Sequence, residues 1–112
     1  MKKIFIISIF LFACKSEDRP KNLIEDKKMI TILLQLTQAD EYYTRMSTID
    51  STWKINRKNV QFYQQIFDFN KVSRADFYAT MEYYEMHPKE FRVVLDSTYQ
   101  LSRREKMKLN KH

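Results

Sequence analysis

The sequence predicts an all-α domain, a small antiparallel bundle of about four helices over residues 26–102. Three observations favour this fold class. The chain contains no glycine, so tight hairpin turns that need a positive φ are costly everywhere. Large apolar residues recur in steps of three and four along the chain. The segments between these runs are short and carry Asn, Ser, Asp or Pro, which end helices and form turns.

The first helix is expected to begin at Asp26 as N-cap and to end near Met46. Its apolar stripe and the residues flanking that stripe are Met29, Leu33, Leu36 and Tyr43, with Ile30, Ile32 and Ala39. Residues 47–55 are expected to form an irregular connection, in which Trp53 anchors the chain against the core.

A second helix is expected to follow Asn56 as its N-cap. Asn70 is expected to be the left-handed residue that ends this helix, where a glycine would otherwise stand. The predicted buried face consists of Val60, Tyr63, Ile66 and Phe67.

The third and fourth helices are predicted from a cap and a proline. Ser73, with Asp76 three residues later, resembles a capping box. The third helix should end before Pro88, because the residue preceding a proline is disfavoured in the helical region. A fourth helix begins at Pro88. The predicted core residues of the two helices are Phe77, Met81 and Tyr84, then Phe91, Val94, Leu95, Tyr99 and Leu101.

Residues 1–13, "MKKIFIISIFLFA", have the basic start and short apolar stretch of a cleaved signal peptide. About ten apolar residues rise only about 15 Å as a helix, against about 30 Å of hydrocarbon, so the segment is too short for a permanent membrane span. A buried N-terminal core helix is the alternative. The basic residues at the start and the charge that follows Cys14 favour export.

Cys14 is the sole cysteine of the chain. The stretch "LFAC" resembles the lipobox of bacterial lipoproteins, in which the cysteine receives a diacylglyceryl group and, after cleavage, an N-acyl chain. Two or three acyl chains give stable membrane anchoring. A catalytic thiol is the alternative, but it would stand in a charged segment with no positioned base. Residues 14–25 are therefore interpreted as the lipidated cysteine and its tether, and no other cofactor is expected.

The residues after Cys14 bear on sorting. Lys15 at the second position resembles lipoproteins that pass to the outer membrane, and "KSED" resembles a signal for export to the cell surface. Whether the periplasmic face or the cell surface is the destination stays open. A tether that the charges merely keep solvated is an equally good interpretation.

The formal charge of +6 is not a property of the domain. Residues 14–102 hold 13 basic and 13 acidic side chains, whereas residues 103–112 carry five basic residues against one acidic. This basic tail is either a solvated helix end, whose cations suit the helix dipole, or a contact for an anionic membrane or an acidic protein. Nucleic acid is not an expected partner of an exported protein.

Residues 20–46 and 60–101 carry a further pattern. Its elements are Pro20, Leu23, Ile24, Met29, Ile30, Leu33, Phe77, Tyr83, Tyr84, Pro88 and Asp96. With this pattern the chain resembles the domain-of-unknown-function family 4296, and departs from it at Gln35 and Thr37, where the family tends to have acidic and His residues. The resemblance implies a short lipoprotein of Bacteroidetes type with no established activity.

Two tyrosine pairs, Tyr42–Tyr43 and Tyr83–Tyr84, are candidates for a surface that faces a partner. Neighbouring helical residues point about 100° apart, so each pair can place one ring in the core and the other at its border. Packing is the simpler interpretation. An aromatic patch for a protein or for the membrane interface is the functional one.

No catalytic or metal site is predicted. Asp40 and Glu41 are sequence neighbours that diverge on a helix. His87 lies among acidic residues, Glu82, Glu85 and Glu90, but a catalytic zinc needs about three convergent ligands.

We therefore expect a non-enzymatic outer-membrane lipoprotein, an accessory or scaffold that contacts another envelope protein. The alternative is a module that holds an apolar or lipid-like ligand in a cavity. That cavity would be lined by Tyr43, Phe67, Phe77 and Tyr84.

Overall fold

A computed structural model describes residue 20 and residues 22–110 of the chain. Across these residues the elements, in chain order, are α1 Asp26–Ile49, α2 Thr52–Ile55, α3 Lys58–Phe69, α4 Arg74–Met86 and α5 Pro88–Asn110, with no strand. The predicted all-α fold is confirmed. The predicted signal peptide, Cys14 and the tether before Pro20 lie outside the described residues. Within the part that is described, no helix combines the length and apolar character needed to cross a membrane.

Helix α1 starts one residue earlier at its cap and ends later than predicted. Glu25 is the extended N-cap residue, and Asp26 is the first residue of the helix. The Asp26 carboxylate is engaged elsewhere, because it accepts a hydrogen bond of 2.7 Å from the Tyr84 hydroxyl. At the other end the helix continues to Ile49. The Ser47 hydroxyl donates to the Tyr43 carbonyl at 2.6 Å, so this serine bonds within the helix instead of ending it.

The connection after α1 is more regular than predicted, because residues 52–55 form the single helical turn α2. The Asp50 carboxylate accepts hydrogen bonds from the Thr52 hydroxyl at 2.7 Å and from the Thr52 amide at 3.0 Å. These bonds lower the pKa of Asp50. An acceptor ahead of the first turn satisfies backbone N–H groups that the helix itself leaves unpaired.

Asn56 does not cap α3, and the prediction that it does is wrong. Its amide N–H donates to the Thr52 carbonyl at 2.9 Å, which places Asn56 at the end of α2. The residue before α3 is Arg57, with φ 51° and ψ 49°. A left-handed conformation costs a non-glycine residue about 1–2 kcal/mol, so the tight link between α2 and α3 is made at some cost.

The left-handed residue after α3 is Lys71, with φ 58°, whereas Asn70 has φ −87°. The prediction is therefore wrong by one residue. The Val72 amide donates to the Phe67 carbonyl at 3.0 Å and the Lys71 amide to the Asp68 carbonyl at 3.1 Å, which is the Schellman pattern. In this pattern the left-handed residue follows the cap. Asn70 is the cap itself, and its side chain bonds across the fold instead.

Helices α4 and α5 follow the prediction closely at their junctions. The Asp76 amide donates to the Ser73 hydroxyl at 3.0 Å, so Ser73 is the N-cap. Helix α4 ends at Met86, and α5 begins at Pro88. Pro88 suits the first position of a helix, where its missing N–H would have no partner within the helix.

The core lies where α1 packs against α3 and α5. Its buried members are Ile24, Met29, Ile32, Phe67, Phe77, Tyr83, Tyr84 and Val94. Helices α1 and α3 are antiparallel: Asn70 bonds to Gln35, and Tyr63, earlier on α3, bonds to Asp40, later on α1.

Three residues predicted for the core are instead exposed: Val60 by 42%, Leu95 by 46% and Tyr99 by 58%. Conversely Ile32, predicted only to flank the stripe of α1, is fully buried. On α5 the covered stripe is narrow and follows Phe91 and Val94. Leu95 and Tyr99 lie beside this stripe on the helix and stay about half exposed. The predicted tail from Arg103 onward continues α5 as far as Asn110, on exposed residues.

Candidate interaction groove

A shallow apolar groove runs between α1 and α3 on the surface. It consists of two adjoining recesses, of about 400 Å³ and about 180 Å³, which share Gln65 and Ile66. We call it the α1–α3 groove, and its lining residues are Gln35, Ala39 and Tyr42 of α1 and Phe62, Gln65, Ile66 and Phe69 of α3.

Helical spacing explains why these residues line one groove. The lining residues of α1 are four and three residues apart, as are Phe62, Ile66 and Phe69 on α3. Residues at such spacings share one face of a helix. Because α1 and α3 pack side by side and antiparallel, the two faces meet along a common channel.

One wall of the groove is held by a polar bond across the fold. The Asn70 side-chain amide donates to the Gln35 side-chain oxygen at 2.7 Å and also to the Ile66 carbonyl at 2.7 Å. The bond therefore ties the end of α3 to the middle of α1. It sets the spacing of the two helices next to Phe69.

Three aromatic rings meet at one end of the groove: Tyr42 and Phe62, which line it, and Trp53, which packs against both. The Trp53 ring lies 5.6 Å from the ring of Tyr42 and 5.9 Å from that of Phe62, and the latter two rings are 6.1 Å apart. These are edge-on or tilted contacts, the arrangement that aromatic pairs prefer. The short helix α2 brings Trp53 to this position. We refer to these three residues as the aromatic cluster.

Large apolar side chains of the groove remain in contact with solvent. Tyr42 is 47% exposed, and Phe69, at the opposite end from the aromatic cluster, is 77% exposed. A single exposed apolar residue is ordinary, whereas a large contiguous apolar patch is typical of interaction surfaces. The described residues that line the groove are apolar, aromatic or amide side chains.

A second bond between α1 and α3 lies away from the groove. The Tyr63 hydroxyl donates to the Asp40 carboxylate at 2.5 Å. This hydrogen bond, with some burial, raises the pKa of Tyr63 to about 12. Neither residue lines the groove. The pair braces the two helices that form it.

The tyrosines singled out by sequence have different surroundings. Tyr83 and Tyr84 are buried, 8% and 1% exposed, and their hydroxyls donate to Glu90 at 3.1 Å and to Asp26 at 2.7 Å. Tyr43 is half-buried. Tyr42 alone among the four lines the groove.

His87 is held by α4. Its Nδ1 lies 2.8 Å from the Tyr83 carbonyl oxygen, and its ring stacks on that of Tyr83 with centroids 4.0 Å apart. Glu90 accepts a hydrogen bond from Tyr83. In the described portion of the chain, no group of three or more His, Cys, Asp or Glu side chains is arranged to hold a metal ion.

Three of the four aromatic residues named for a ligand cavity, Phe67, Phe77 and Tyr84, have ring partners within the domain. The rings of Phe67 and Phe77 have centroids 4.9 Å apart, and Tyr84 stacks on Phe91 at 5.2 Å. Phe67, Phe77 and Tyr84 are all buried members of the core.

Sequence reasoning missed Trp53, Phe62 and Phe69 as parts of a site. A signal was present: Phe62, Gln65 and Phe69 form a second stripe on α3, beside the predicted core stripe of Tyr63, Ile66 and Phe67. When a short helix is apolar on two faces, the domain core covers one of them and the other is left for a further contact.

Comparison with known proteins identifies a family. The model of the family described as "Domain of unknown function (DUF4296)" matches residues 20–107. No curated protein and no solved structure matches the chain.

Proposed function

The chain belongs to the DUF4296 family, and we propose that this member is a lipid-anchored protein of the bacterial outer membrane that acts without catalysis, by binding another envelope protein. The lipobox "LFAC" supports the anchor, and Lys15, directly after Cys14, supports the outer membrane as destination. The observation that carries the binding role is the α1–α3 groove, with Phe69 77% exposed at one end of it.

The tether makes this role physically reasonable. The folded domain is entered at Ile24, whose amide donates to the buried Thr80 hydroxyl at 3.0 Å. About ten residues separate Ile24 from Cys14, so the junction stays within about 33–36 Å of the lipid. Confinement near the membrane raises the effective concentration of the groove toward other proteins of that membrane.

The proposed membrane location is tested by one substitution. Cys14→Ala removes the thiol that would carry the lipid, and we expect the variant to leave the membrane fraction while the unaltered chain stays in it. Metabolic labelling with a fatty acid should mark the unaltered chain alone. Retention of an unlabelled Cys14→Ala variant in the membrane would contradict the proposed anchor.

The binding role is tested by chemical cross-linking in intact envelopes. Phe69→Ser and the double variant Tyr42→Ser/Phe69→Ser remove apolar surface from the groove. Leu109→Ser is the matched control, since Leu109 is 76% exposed and does not line the groove. We expect the groove variants to lose cross-linked species that the Leu109 variant keeps. Equal cross-linking by all three variants would contradict the proposal.

The second candidate, a module for an apolar or lipid-like ligand, could use the same groove, because its smaller recess is lined by Ala39, Tyr42, Phe62 and Ile66 with Gln65. Ligand pockets usually enclose most of their ligand, whereas this groove is shallow. Mass spectrometry of the unaltered chain extracted from envelopes distinguishes the two functions. A co-purified lipid that the Tyr42→Ser/Phe69→Ser variant lacks would favour the second candidate.

A further inference from the structure

We infer that the α1–α3 groove binds an amphipathic helix of another protein that carries acidic residues beside its apolar stripe. This inference rests on the proposed function and specifies the chemistry of the partner. It is drawn from the charges at the two ends of the groove, from the dimensions of the groove, and from the poor fit of the other occupants that this chain could supply.

The charges that continue the two faces of the groove are basic. On α3, the step of four residues before Phe62 reaches Lys58. On α1, a step of four residues before Gln35 reaches Thr31, and a further step of three reaches Lys28. Residues at such steps lie on one helix face, so a lysine stands beyond each end of the groove.

The residues around each end of the groove are also mainly basic. Beyond Gln35 lies a recess lined by Glu25, Lys27 and Lys28 with Thr31 and Asn70, in which two basic side chains meet one acidic. At the end with the aromatic cluster, Lys54 follows Trp53 in α2, Arg57 is the residue before α3, and Lys58 is the first residue of α3. Both ends therefore attract an acidic partner.

The dimensions suit a short helix. Lys58 and Phe69 are eleven residues apart on α3, which corresponds to a rise of about 16 Å, or about three helical turns. Two antiparallel helices side by side leave a channel into which a third helix packs. The aromatic cluster at one end and the exposed Phe69 at the other can both contact apolar side chains of a bound helix, as in other helix-in-groove complexes.

Occupants from this chain fit less well. In a symmetric pair of copies the same basic ends would meet basic ends, which is unfavourable. The C-terminal segment 103–112 has five basic residues and one acidic, so it repeats the sign of the groove. The tether residues 15–20, "KSEDRP", contain no large apolar side chain. An acidic amphipathic helix from a different protein is the occupant that the groove favours.

Three synthetic peptides of 14 residues test the inference against the full chain in detergent. They share one stripe of leucines at helical spacing and carry Glu, Gln or Lys at the flanking positions. Binding is measured by fluorescence anisotropy of labelled peptide, and Trp53, the only tryptophan of the chain, reports locally on the aromatic cluster. We expect the Glu peptide to bind at least about tenfold more tightly than the Lys peptide at low salt, with the difference shrinking in about 0.5 M NaCl.

Charge reversal at the groove supplies the control. Lys58→Glu should weaken binding of the Glu peptide by about two- to tenfold and strengthen binding of the Lys peptide. Lys106→Glu, on the exposed end of α5, should change the affinity for either peptide by no more than about twofold. Equal binding of the three peptides, no binding of any, or a Glu preference that Lys58→Glu leaves unchanged would overturn the inference.

The two proposals fail in distinguishable ways. If the groove variants lose cross-links in envelopes but the peptides show no charge preference, the binding role stands and the acidic helix does not. If the Glu peptide binds as expected but cross-linking is unaffected by Phe69→Ser and the double variant, the groove recognises acidic helices and the proposed envelope role fails.

Discussion

Replacing Thr80 with valine removes a hydroxyl that ties the entrance of the folded domain to α4. Thr80 is fully buried, and its hydroxyl oxygen accepts from the Ile24 amide at 3.0 Å while its proton goes to the Asp76 carbonyl at 2.7 Å. Valine has nearly the same shape and the same branched carbon, so the substitution opens no cavity and changes helix propensity little. Its main effect is to remove this acceptor.

The expected loss of stability in Thr80→Val follows from the burial of this hydrogen bond. Ile24 is 7% exposed, so in the variant its amide loses the Thr80 acceptor in a place that water reaches poorly. A buried group that loses a hydrogen-bond partner costs about 1–3 kcal/mol. In a domain of this size each kcal/mol lowers the melting temperature by about 4–8 °C. We therefore expect Thr80→Val to lower the Tm by at least about 4 °C.

Thr37→Val is the matched control. The Thr37 hydroxyl makes the same kind of intrahelical bond, to the Leu33 carbonyl at 2.9 Å, but Thr37 is exposed. This variant should stay within about 0.5 kcal/mol of the unaltered chain.

Urea and thermal unfolding followed by circular dichroism at 222 nm compare the three chains. Hydrogen exchange supplies a local readout, and the Ile24 amide should exchange faster in Thr80→Val alone. If Thr80→Val and Thr37→Val have the same stability and the exchange at Ile24 does not change, the bond does not hold the entrance of the domain. A shift that appears in both variants would likewise show that threonine at a helix position, and not the contact with Ile24, is responsible.

Two further predictions concern the brace and the turn. The pKa of Tyr63 is about 12 in the folded chain against about 10 in the unfolded chain. The hydrogen bond from Tyr63 to Asp40 therefore stabilises the fold fully below about pH 10, and this stabilisation is lost as the pH rises toward 12. Urea midpoints between pH 8 and pH 11.5 should thus fall more steeply for the unaltered chain than for Tyr63→Phe, and parallel curves would refute the brace. Lys71→Gly should raise stability by up to about 1 kcal/mol, since glycine adopts the positive φ without strain. Asn70→Gly should lower it, since Asn70 has negative φ and bonds to Gln35 and Ile66; the opposite order in thermal melts would refute the assignment of the left-handed residue.

The elements that sequence reasoning predicted well are those set by local rules. Ser73 caps α4 and Pro88 opens α5, because a capping hydroxyl and a proline act within three or four residues of the chain. Two predictions failed at the ends of α3: Asn56 does not cap this helix, and Asn70 is not the left-handed residue that follows it. Asparagine tolerates left-handed backbone better than arginine or lysine does, yet Arg57 and Lys71 adopt it. Packing of α3 against α1 sets where these turns fall, and it outweighs a local preference of about 1 kcal/mol.

The sequence by itself determined the helical class, the two junctions of α4, and the apolar residues available for burial. Helical periodicity and the absence of glycine are enough for that much. The sequence also predicted the core stripe of α3, but only the tertiary structure decided that the second apolar stripe is left open beside it. Phe67 is buried in the core and Ile66 packs against the core at the edge of the groove, whereas Phe62 and Phe69 line the groove with Tyr42. Both stripes have the spacing of a buried face. How much of each one is covered depends on where α1 and its neighbours lie, which is a relation between distant parts of the chain.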